Sequence, residues 1–303
     1  MPGEAEEILR LRRERDAIIL AHNYQRPEIQ DLADFVGDSL GLSIQAARAE
    51  ARAIIFCGVD FMAENAAILN PGKAVVHPVP EAMCPMAMMI DAAGLRAMKA
   101  QHPGVPVVAY VNTPAEVKAE SDLCCTSSNA VKVVKSLPDG EVIFVPDANL
   151  GAYVQRFVKD KTLHLWPGYC PTNQRLRRED ILALKREHPG AIALVHPECV
   201  PEVIDVADRV FSTEGMVSFI EKSREREFII GTESGLIHRL KKSFPDRQYY
   251  GVPGAVCPTM KKITLEAVLR SLQTLEPRVV LPPDILERAR GPIERMLAVG
   301  RGD

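Results

Sequence analysis

Long apolar runs are missing from this sequence of 303 residues, and none reaches the roughly 18 residues that a membrane-spanning helix requires. The charged first segment, residues 1–16, lacks the apolar centre of a secretory signal peptide. An excess of basic residues is also missing, since 37 Lys and Arg face 40 Asp and Glu. We therefore expect a cytoplasmic protein that binds neither membranes nor nucleic acids.

Closely spaced cysteine motifs such as C-x2-C-x2-C, which bind electron-transfer clusters, do not occur, although the chain has seven cysteines. In a reducing cytoplasm we expect these cysteines to bind metal or act in catalysis rather than to form disulfides. The composition, with 47% hydrophobic and 25% charged residues, allows one large core or two to three small ones. The Arg-Gly-Asp at residues 301–303 is interpreted as an ordinary polar tail.

The sequence does contain an internal repeat. Cys-Pro occurs at Cys84, Cys170 and Cys257, at intervals of 86 and 87 residues. Two further sets of residues follow this period: the first is His22, Tyr110 and His196, and the second is Ser39, Ser127 and Thr213. Each member of the second set lies 17 residues after the corresponding member of the first. A period that several kinds of feature share predicts three copies of one structural unit.

Each predicted unit contains short apolar runs that are typical of buried strands. These runs are residues 17–25, 105–113 and 191–199, and later in each unit 51–64, 140–151 and 227–235. Amphipathic stretches such as residues 181–188 and 263–275 predict helices. Short strands that alternate with helices indicate parallel sheets covered by helices on both faces.

The fold class is therefore α/β, with three αβα sandwich units related by a pseudo-threefold axis. We predict that the units span residues 1–87, 88–173 and 174–303, the last with the C-terminal helices. A single doubly wound sheet with coincidental spacing is the alternative. A cavity between three units needs an opening, so we expect one unit to move.

Polar residues are predicted to gather at the carboxyl ends of the strands, which in parallel sheets lie beside helix N-termini. The second strands end in Glu64, Asn149 and Glu233. The predicted rim of a shared cavity comprises His22, Tyr24, Tyr110, Asn112, His196 and Glu198, with the hydroxyls of Ser39, Ser127 and Thr213. Hydroxyls beside helix N-termini bind carboxylates and phosphates, which indicates a small anionic substrate. Alternatively, the hydroxyls are only helix caps and the histidines are structural.

Three converging thiolates suit a soft metal. A structural zinc site usually has four protein ligands, and the repeat offers three. Three cysteines match a [4Fe-4S] cluster whose fourth iron is open and can act as a Lewis acid. The alternative is that Cys84, Cys170 and Cys257 are buried small residues.

The sequence resembles the quinolinate synthase (quinolinate synthetase A) family over almost its whole length. The motifs that carry this resemblance are AHNYQRPEIQDLADFVGDSL, CGVDFMAENAAILNP, AMCPMA, AYVNTPAEVKAESDLCCTSSNA, VPDANLG, PGYCPTN, VHPECVPEVIDVADRVFSTEGM, GTESGLIHRL and GAVCPTMKKITL. The resemblance implies three α/β domains and one [4Fe-4S] cluster. It also implies the condensation of iminosuccinate (iminoaspartate) with dihydroxyacetone phosphate to quinolinate, with loss of phosphate and two waters, in NAD biosynthesis.

The resemblance also implies roles for individual residues. Cys84, Cys170 and Cys257 would be the cluster ligands, and the open iron would bind an intermediate's oxygen and help water to leave. A dicarboxylate would be held by His22, Asp38 and Ser39, with Tyr24 over the reacting carbons. The ring of contacts would continue through Tyr110, Asn112, Ser127, His196, Glu198 and Thr213. Glu198 is the expected general base, because a carboxylate in a pocket with little water has a raised pKa.

One position departs from the family pattern, in which a histidine follows the second cysteine by three residues. This chain has Asn173 there. An asparagine amide can hold an anionic oxygen but cannot exchange a proton near pH 7. We therefore expect substrate binding to be intact and turnover to be impaired.

Upstream, L-aspartate oxidase or aspartate dehydrogenase would supply the substrate. Two alternatives stay open at this point. One is another [4Fe-4S] lyase or hydratase that acts on a small carboxylate. The other is a metal-binding protein without catalysis, for which Tyr24 and Glu198 would have no use.

Overall fold

The computed structural model describes residues 3–138 and 140–303. In this part of the chain the strands form three separate four-stranded parallel sheets. The first sheet contains β1 Ala17–His22, β2 Phe35–Gly37, β3 Ala53–Cys57 and β4 Ala74–Val76. The second contains β5 Val107–Tyr110, β6 Leu123–Cys125, β7 Glu141–Val145 and β8 Thr162–Leu165. The third contains β9 Ile192–Val195, β10 Arg209–Val210, β11 Glu227–Gly231 and β12 Gln248–Gly251.

The strand order is the same in all three sheets: β2-β1-β3-β4, β6-β5-β7-β8 and β10-β9-β11-β12. This result confirms the predicted α/β class with three helix-covered parallel sheets. The unit boundaries at residues 87 and 173 stay a prediction.

Helices connect the strands and cover the sheets. The first sheet is accompanied by α1 Glu4–Glu14, α2 Pro27–Leu32, α3 Ser39–Arg48 and α4 Asp60–Leu69. The second is accompanied by α5 Ala92–Gln101, α6 Ala115–Ala119, α7 Ala130–Ser136 and α8 Ala148–Gln155. The remaining α-helices of the described residues are α9 Pro171–Gln174, α10 Arg178–Glu187, α11 Pro201–Ile204, α12 Thr213–Lys222, α13 Gly235–Ser243, α14 Leu265–Thr274 and α15 Pro283–Val299. Two 3-10 turns are Ala87–Met89 and Met260–Lys262.

The structure corrects two details of the sequence interpretation. The apolar run at residues 51–64 is not one strand, since β3 ends at Cys57 and α4 begins at Asp60. The short strands β2, β6 and β10 were not predicted, because two or three residues are too few to show an alternating pattern. Each of them pairs only with the first strand of its sheet and forms one edge.

The central strands are apolar on both faces because helices cover both faces of each sheet. In β3 all five residues are buried, and in β7 the last four are buried. The last two helices pack outside the third sheet. Helix α15 contacts α4, α6 and β6, and α14 contacts α1, so the C-terminal helices join the first and second sheets to the end of the chain.

Two glycines shape the loops that carry the Cys-Pro motif. Gly254 has a φ of +74°, a left-handed conformation that side chains disfavour, and it turns the chain before Cys257. At Gly168 a Cβ atom would lie 2.4 Å from the carbonyl oxygen of Pro146, so only glycine fits there. The Pro-Gly in these two motifs therefore allows a tight return of the chain from the last strand to the cysteine.

Among the described helices, none combines the length and the apolar character that a membrane span requires.

Candidate active site between the three sheets

The carboxyl ends of the three sheets surround one cavity. Nearly all residues predicted for the site line it: His22, Tyr24, Asp38, Ser39, Cys84, Tyr110, Asn112, Ser127, Cys170, His196, Glu198, Thr213 and Cys257. Asn173 lies directly behind this lining, where it contacts Glu198 and Cys170. The structure thus brings together residues that are up to 235 positions apart in the chain, as from His22 to Cys257.

Two histidines enter the cavity from the ends of the first strands. His22 ends β1, and its Nδ1 accepts a hydrogen bond from the backbone amide of Tyr24 at 3.2 Å. That contact places the ring proton on Nε2. Burial lowers the pKa of His22 to about 3, against the opposing effect of the Asp38 charge. His22 is therefore neutral at pH 7 and can donate one hydrogen bond from Nε2.

His196 occupies the equivalent position in the third sheet. Its Nδ1 lies 3.3 Å from the backbone amide of Glu198 and 3.4 Å from Glu198 Oε2. Its Nε2 lies 3.2 Å from Ser127 Oγ, so it bridges the second and third sheets. Burial lowers the pKa of His196, while the Glu198 charge opposes this shift.

The Glu198 carboxylate is held by a hydrogen bond to each of its oxygens. Its Oε1 accepts a hydrogen bond from the Tyr110 hydroxyl at 2.6 Å, and its Oε2 accepts one from Asn173 Nδ2 at 2.6 Å. The side chain is 5% exposed. Both donors are neutral, so they orient the carboxylate without adding a positive charge.

Asn173 links Glu198 to Tyr24 through a third residue that the sequence interpretation missed. Thr232 Oγ1 lies 3.2 Å from Asn173 Oδ1 and 2.6 Å from the Tyr24 hydroxyl. Burial, and next the Glu198 charge, raises the pKa of Tyr24, so the phenol keeps its proton. Thr232 follows β11 and directly precedes Glu233. The repeat did not identify Thr232, because the matching positions in the other two units hold no hydroxyl residue.

Asn112 presents an acceptor to the cavity. Its residue is 8% exposed, and its Oδ1 has no hydrogen-bond partner among the described residues. A buried amide oxygen without a partner is unfavourable unless a ligand donates to it. Asn112 is therefore a candidate contact for a hydroxyl or amine of a bound molecule.

The predicted hydroxyl residues are not the helix caps. Asp38 caps α3 by accepting from the Gly41 amide, and Ser212 caps α12 by accepting from the Gly215 amide. Ser39 and Thr213 are the next residues and line the cavity. In the second sheet Ser127 lies in a turn before α7. Because neighbouring residues supply the caps, these hydroxyls can face a ligand near helix N-termini.

Asp38 does not offer a free carboxylate to the cavity. Besides capping α3, it forms a bidentate ion pair with Arg301, with distances of 2.8 and 2.7 Å. The arginine charge compensates the carboxylate charge, which favours an anion at this edge of the cavity.

Three cysteines line the cavity on the loops after the last strands. Backbone amides of Ala87 and Asn173 donate toward the sulfurs of Cys84 and Cys170. Cys257 Sγ lies 3.2 Å from Thr259 Oγ1. Burial raises the pKa of Cys84 and of Cys170, so without a metal these thiols stay protonated.

Carboxylates follow the same period at Asp60, Asp147 and Glu233, spaced by 87 and 86 residues, and the first and last of them each support a cysteine loop. The Asp147 carboxylate instead accepts the first amides of α8. Asp60 accepts the Cys84 amide at 2.8 Å, and Glu233 accepts the Cys257 amide at 3.2 Å. Burial, and next the Glu198 charge, raises the pKa of Asp147 well above its usual range. The sequence interpretation aligned Glu233 with Glu64 and Asn149 instead, although the spacing could have identified this set.

A second group of metal-ligand side chains lies outside the cavity: His102, Glu141 and His164, with ligand atoms within 4.8 Å of one another. The two histidine rings stack 3.7 Å apart. The third sheet has the same arrangement with a tyrosine, since Tyr250 stacks on His188 at 3.4 Å and bonds to Glu227. Because the tyrosine preserves the stack and the hydrogen bond, we interpret both groups as packing at the sheet edge.

The comparison with known proteins agrees with this site. The family model for NadA, quinolinate synthetase A protein, matches residues 6–298. The chain belongs to the quinolinate synthetase A family. Members named quinolinate synthase include one from Geotalea uraniireducens strain Rf4, which is 55% identical over 296 residues, 97% of each chain. Another from Pelobacter propionicus is 53% identical over 300 residues, 99% of each chain.

Further members are similarly close. A quinolinate synthase from Methanoregula boonei is 54% identical over 295 residues, 97% of each chain. The family resemblance stated from the sequence motifs is thereby confirmed, and the protein belongs to a family of enzymes.

The donor set in the cavity fits the cluster that a quinolinate synthetase A protein implies. Cys84, Cys170 and Cys257 line one cavity, and no fourth cysteine occurs among the described residues that line it. Hydrogen-bond donors at each sulfur favour the thiolate that a soft metal requires. The remaining cysteines, Cys57, Cys124, Cys125 and Cys199, are buried in the cores.

Proposed function

We propose that this protein condenses iminosuccinate (iminoaspartate) with dihydroxyacetone phosphate to give quinolinate, phosphate and two waters in de novo NAD biosynthesis. The main support is that the family match covers nearly the whole chain and that the chain's chemically active side chains line one cavity. That cavity holds three thiols, two neutral histidines and an oriented carboxylate. The substrates are small anions, in keeping with a cavity whose rim carries hydroxyls beside helix N-termini.

The dicarboxylate is proposed to bind at the α3 side of the cavity. Ser39 Oγ, the first amides of α3 and His22 Nε2–H are neutral donors that converge there. Tyr24 stands beside His22, with its ring edge-to-face at 4.6 Å, and is placed over the reacting carbons. Tyr110, Asn112, Ser127 and Thr213 are proposed to contact the second substrate or the later part of the growing ring.

Glu198 is proposed as the general base. The Tyr110 and Asn173 hydrogen bonds aim its carboxylate, and His196 Nδ1 lies 3.4 Å from Oε2. A proton that Glu198 removes from carbon therefore has an acceptor nearby, and Glu198 can regain its charge for the next proton transfer. Two dehydrations and one ring closure require such repeated transfers.

We propose that Cys84, Cys170 and Cys257 hold a [4Fe-4S] cluster. When bound, such a cluster supplies an iron Lewis acid that can take a substrate oxygen. We further propose that the protein acts in the cytoplasm, and that L-aspartate oxidase or aspartate dehydrogenase supplies its unstable imine substrate.

Protein purified and reconstituted without oxygen is expected to contain about four iron and four sulfide per chain. With iminosuccinate and dihydroxyacetone phosphate it should form quinolinate and release one phosphate for each product, measured by chromatography and a phosphate assay. Turnover of another small carboxylate without quinolinate formation would favour a different lyase. A full cluster with no turnover of any kind would favour a metal-binding protein.

The substitution Asn173→His is expected to raise kcat, because a histidine beside Glu198 can exchange protons and an asparagine amide cannot. If that histidine transfers protons, the gain is on the order of 10²–10⁴-fold, and if it only positions Glu198, the gain is about tenfold or less. Steady-state kinetics with iron content as a second readout measures this. Asn173→Gln is the matched control, since it enlarges the side chain without a titratable group. An unchanged kcat in Asn173→His would contradict the expectation.

A further inference from the structure

The Arg-Gly-Asp at residues 301–303 is not an ordinary polar tail, contrary to the sequence interpretation. Gly300 ends α15 with a φ of +70°, which redirects the chain. The next three residues then contact all three units. Arg301 pairs with Asp38, the Gly302 amide donates to Ser128 O at 3.0 Å, and Asp303 Oδ2 accepts the Ser212 amide at 3.1 Å.

Two of these three contact points, Asp38 and Ser212, are equivalent positions of the repeat, and the third, Ser128, lies two residues beyond the equivalent position in the second unit. Asp38 and Ser212 cap the helices whose next residues, Ser39 and Thr213, line the cavity. Ser128 directly follows Ser127, which also lines it. The segment 300–303 therefore lies across the ring of hydroxyls that face the cavity.

The segment also lines an outer groove beside the cavity. The walls of this groove include Ser127, Ser212, Gly302 and Asp303. Ser127 lines both the groove and the cavity. Displacing residues 300–303 would thus connect the two spaces by a short path.

Hydrogen bonds and ion pairs hold these residues in place. The side chains of Arg301 and Asp303 are 30% and 13% exposed, and they lie 3.7 Å apart. Lys132 Nζ and Asn129 Nδ2 bind backbone oxygens of residues 299–301. A segment with hydrogen bonds and ion pairs but little apolar burial opens at low free-energy cost.

We propose that residues 300–303 form a strap that closes the entrance of the cavity, and that Arg301 is a positioning residue that holds Asp38 and the start of α3 in place. The strap opens to admit small anionic substrates and closes by contacting one helix start in each unit. Closure also excludes water from the site. The kinetic part of this inference rests on the proposed function, whereas the structural part does not.

The test compares Arg301→Gln and Asp303→Asn with a matched control, Arg290→Gln, which removes an exposed ion pair to Glu294 on α15. In cluster-free protein, 5,5′-dithiobis(2-nitrobenzoic acid) labels accessible thiols, and the cysteines outside the cavity are fully buried. Both strap variants should label about tenfold faster than wild type, because a charge-assisted contact that holds the strap is lost. Arg290→Gln should label at the wild-type rate.

In reconstituted protein, Arg301→Gln should raise the KM for iminosuccinate about tenfold with less than threefold change in kcat, and Arg301→Lys should recover part of this loss. A change in thermal stability alone, with wild-type labelling and KM in both strap variants, would overturn the proposal. Faster labelling in a protein that forms no quinolinate in any variant would leave the strap supported and the proposed function wrong.

Discussion

Cys170→Ser is expected to remove the iron and sulfide almost completely and to abolish quinolinate formation. Cys170 is one of only three thiols in the described lining of the cavity, and a serine hydroxyl is a poor ligand for a soft metal. The fold should persist, because the serine fills nearly the same space and keeps the backbone contacts of the loop. Iron and sulfide analysis after anaerobic reconstitution, with circular dichroism for folding, measures the effect.

Cys57→Ala is the matched control for this experiment. Cys57 lies in β3, is fully buried and does not follow the period of the Cys-Pro motif. Its loss should cost about 1 kcal/mol of stability and leave the iron content unchanged. Wild-type iron in Cys170→Ser, or lost iron in Cys57→Ala, would show that the cavity thiols are not the ligands.

Glu198→Gln is expected to lower kcat by on the order of 10²–10⁴-fold, the usual loss for a missing general base. The amide cannot accept a proton near pH 7 but keeps the size of the carboxylate. Its oxygen and nitrogen can retain contacts with Tyr110 and Asn173 if the Asn173 amide rotates by 180°. The iron content and the KM for iminosuccinate should therefore change little.

Steady-state kinetics over a range of pH separates a base from a structural residue. Glu120→Gln is the matched control, because Glu120 is 17% exposed and pairs with arginines far from the cavity. That variant should keep wild-type kcat. A Glu198→Gln variant with wild-type kcat would mean that another group removes the protons, and Tyr110 or His196 would then be examined in the same way.

The contact between Glu198 and Asn173 shows which part of the site could be predicted from the sequence and which could not. The motif identified Asn173 as a departure from the family pattern, and the site prediction contained Glu198. Their 2.6 Å hydrogen bond, and the link through Thr232 to Tyr24, appeared only in the structure. These four residues lie on four different segments, with Asn173 in the short helix α9, and no local pattern encodes a contact between distant segments.

The sequence by itself determined the fold class, the threefold repetition and many of the polar residues that line the cavity. Buried strands, amphipathic helices and a period of 86 to 87 residues are properties of neighbouring or evenly spaced residues, so they are visible in the chain. In a parallel sheet the strand ends share one edge, which places polar residues that follow strands together. That rule sufficed to predict the rim from His22 to Thr213.

Only the tertiary structure decided which side chains face a ligand and which support them. It made Asp38 and Ser212 the helix caps, left Ser39 and Thr213 facing the cavity, and placed Arg301 on Asp38. It also packed the C-terminal helix on the first and second sheets rather than the third. The physical reason is that such contacts join residues up to 263 positions apart, and their free energy depends on how the three sheets are arranged around the axis.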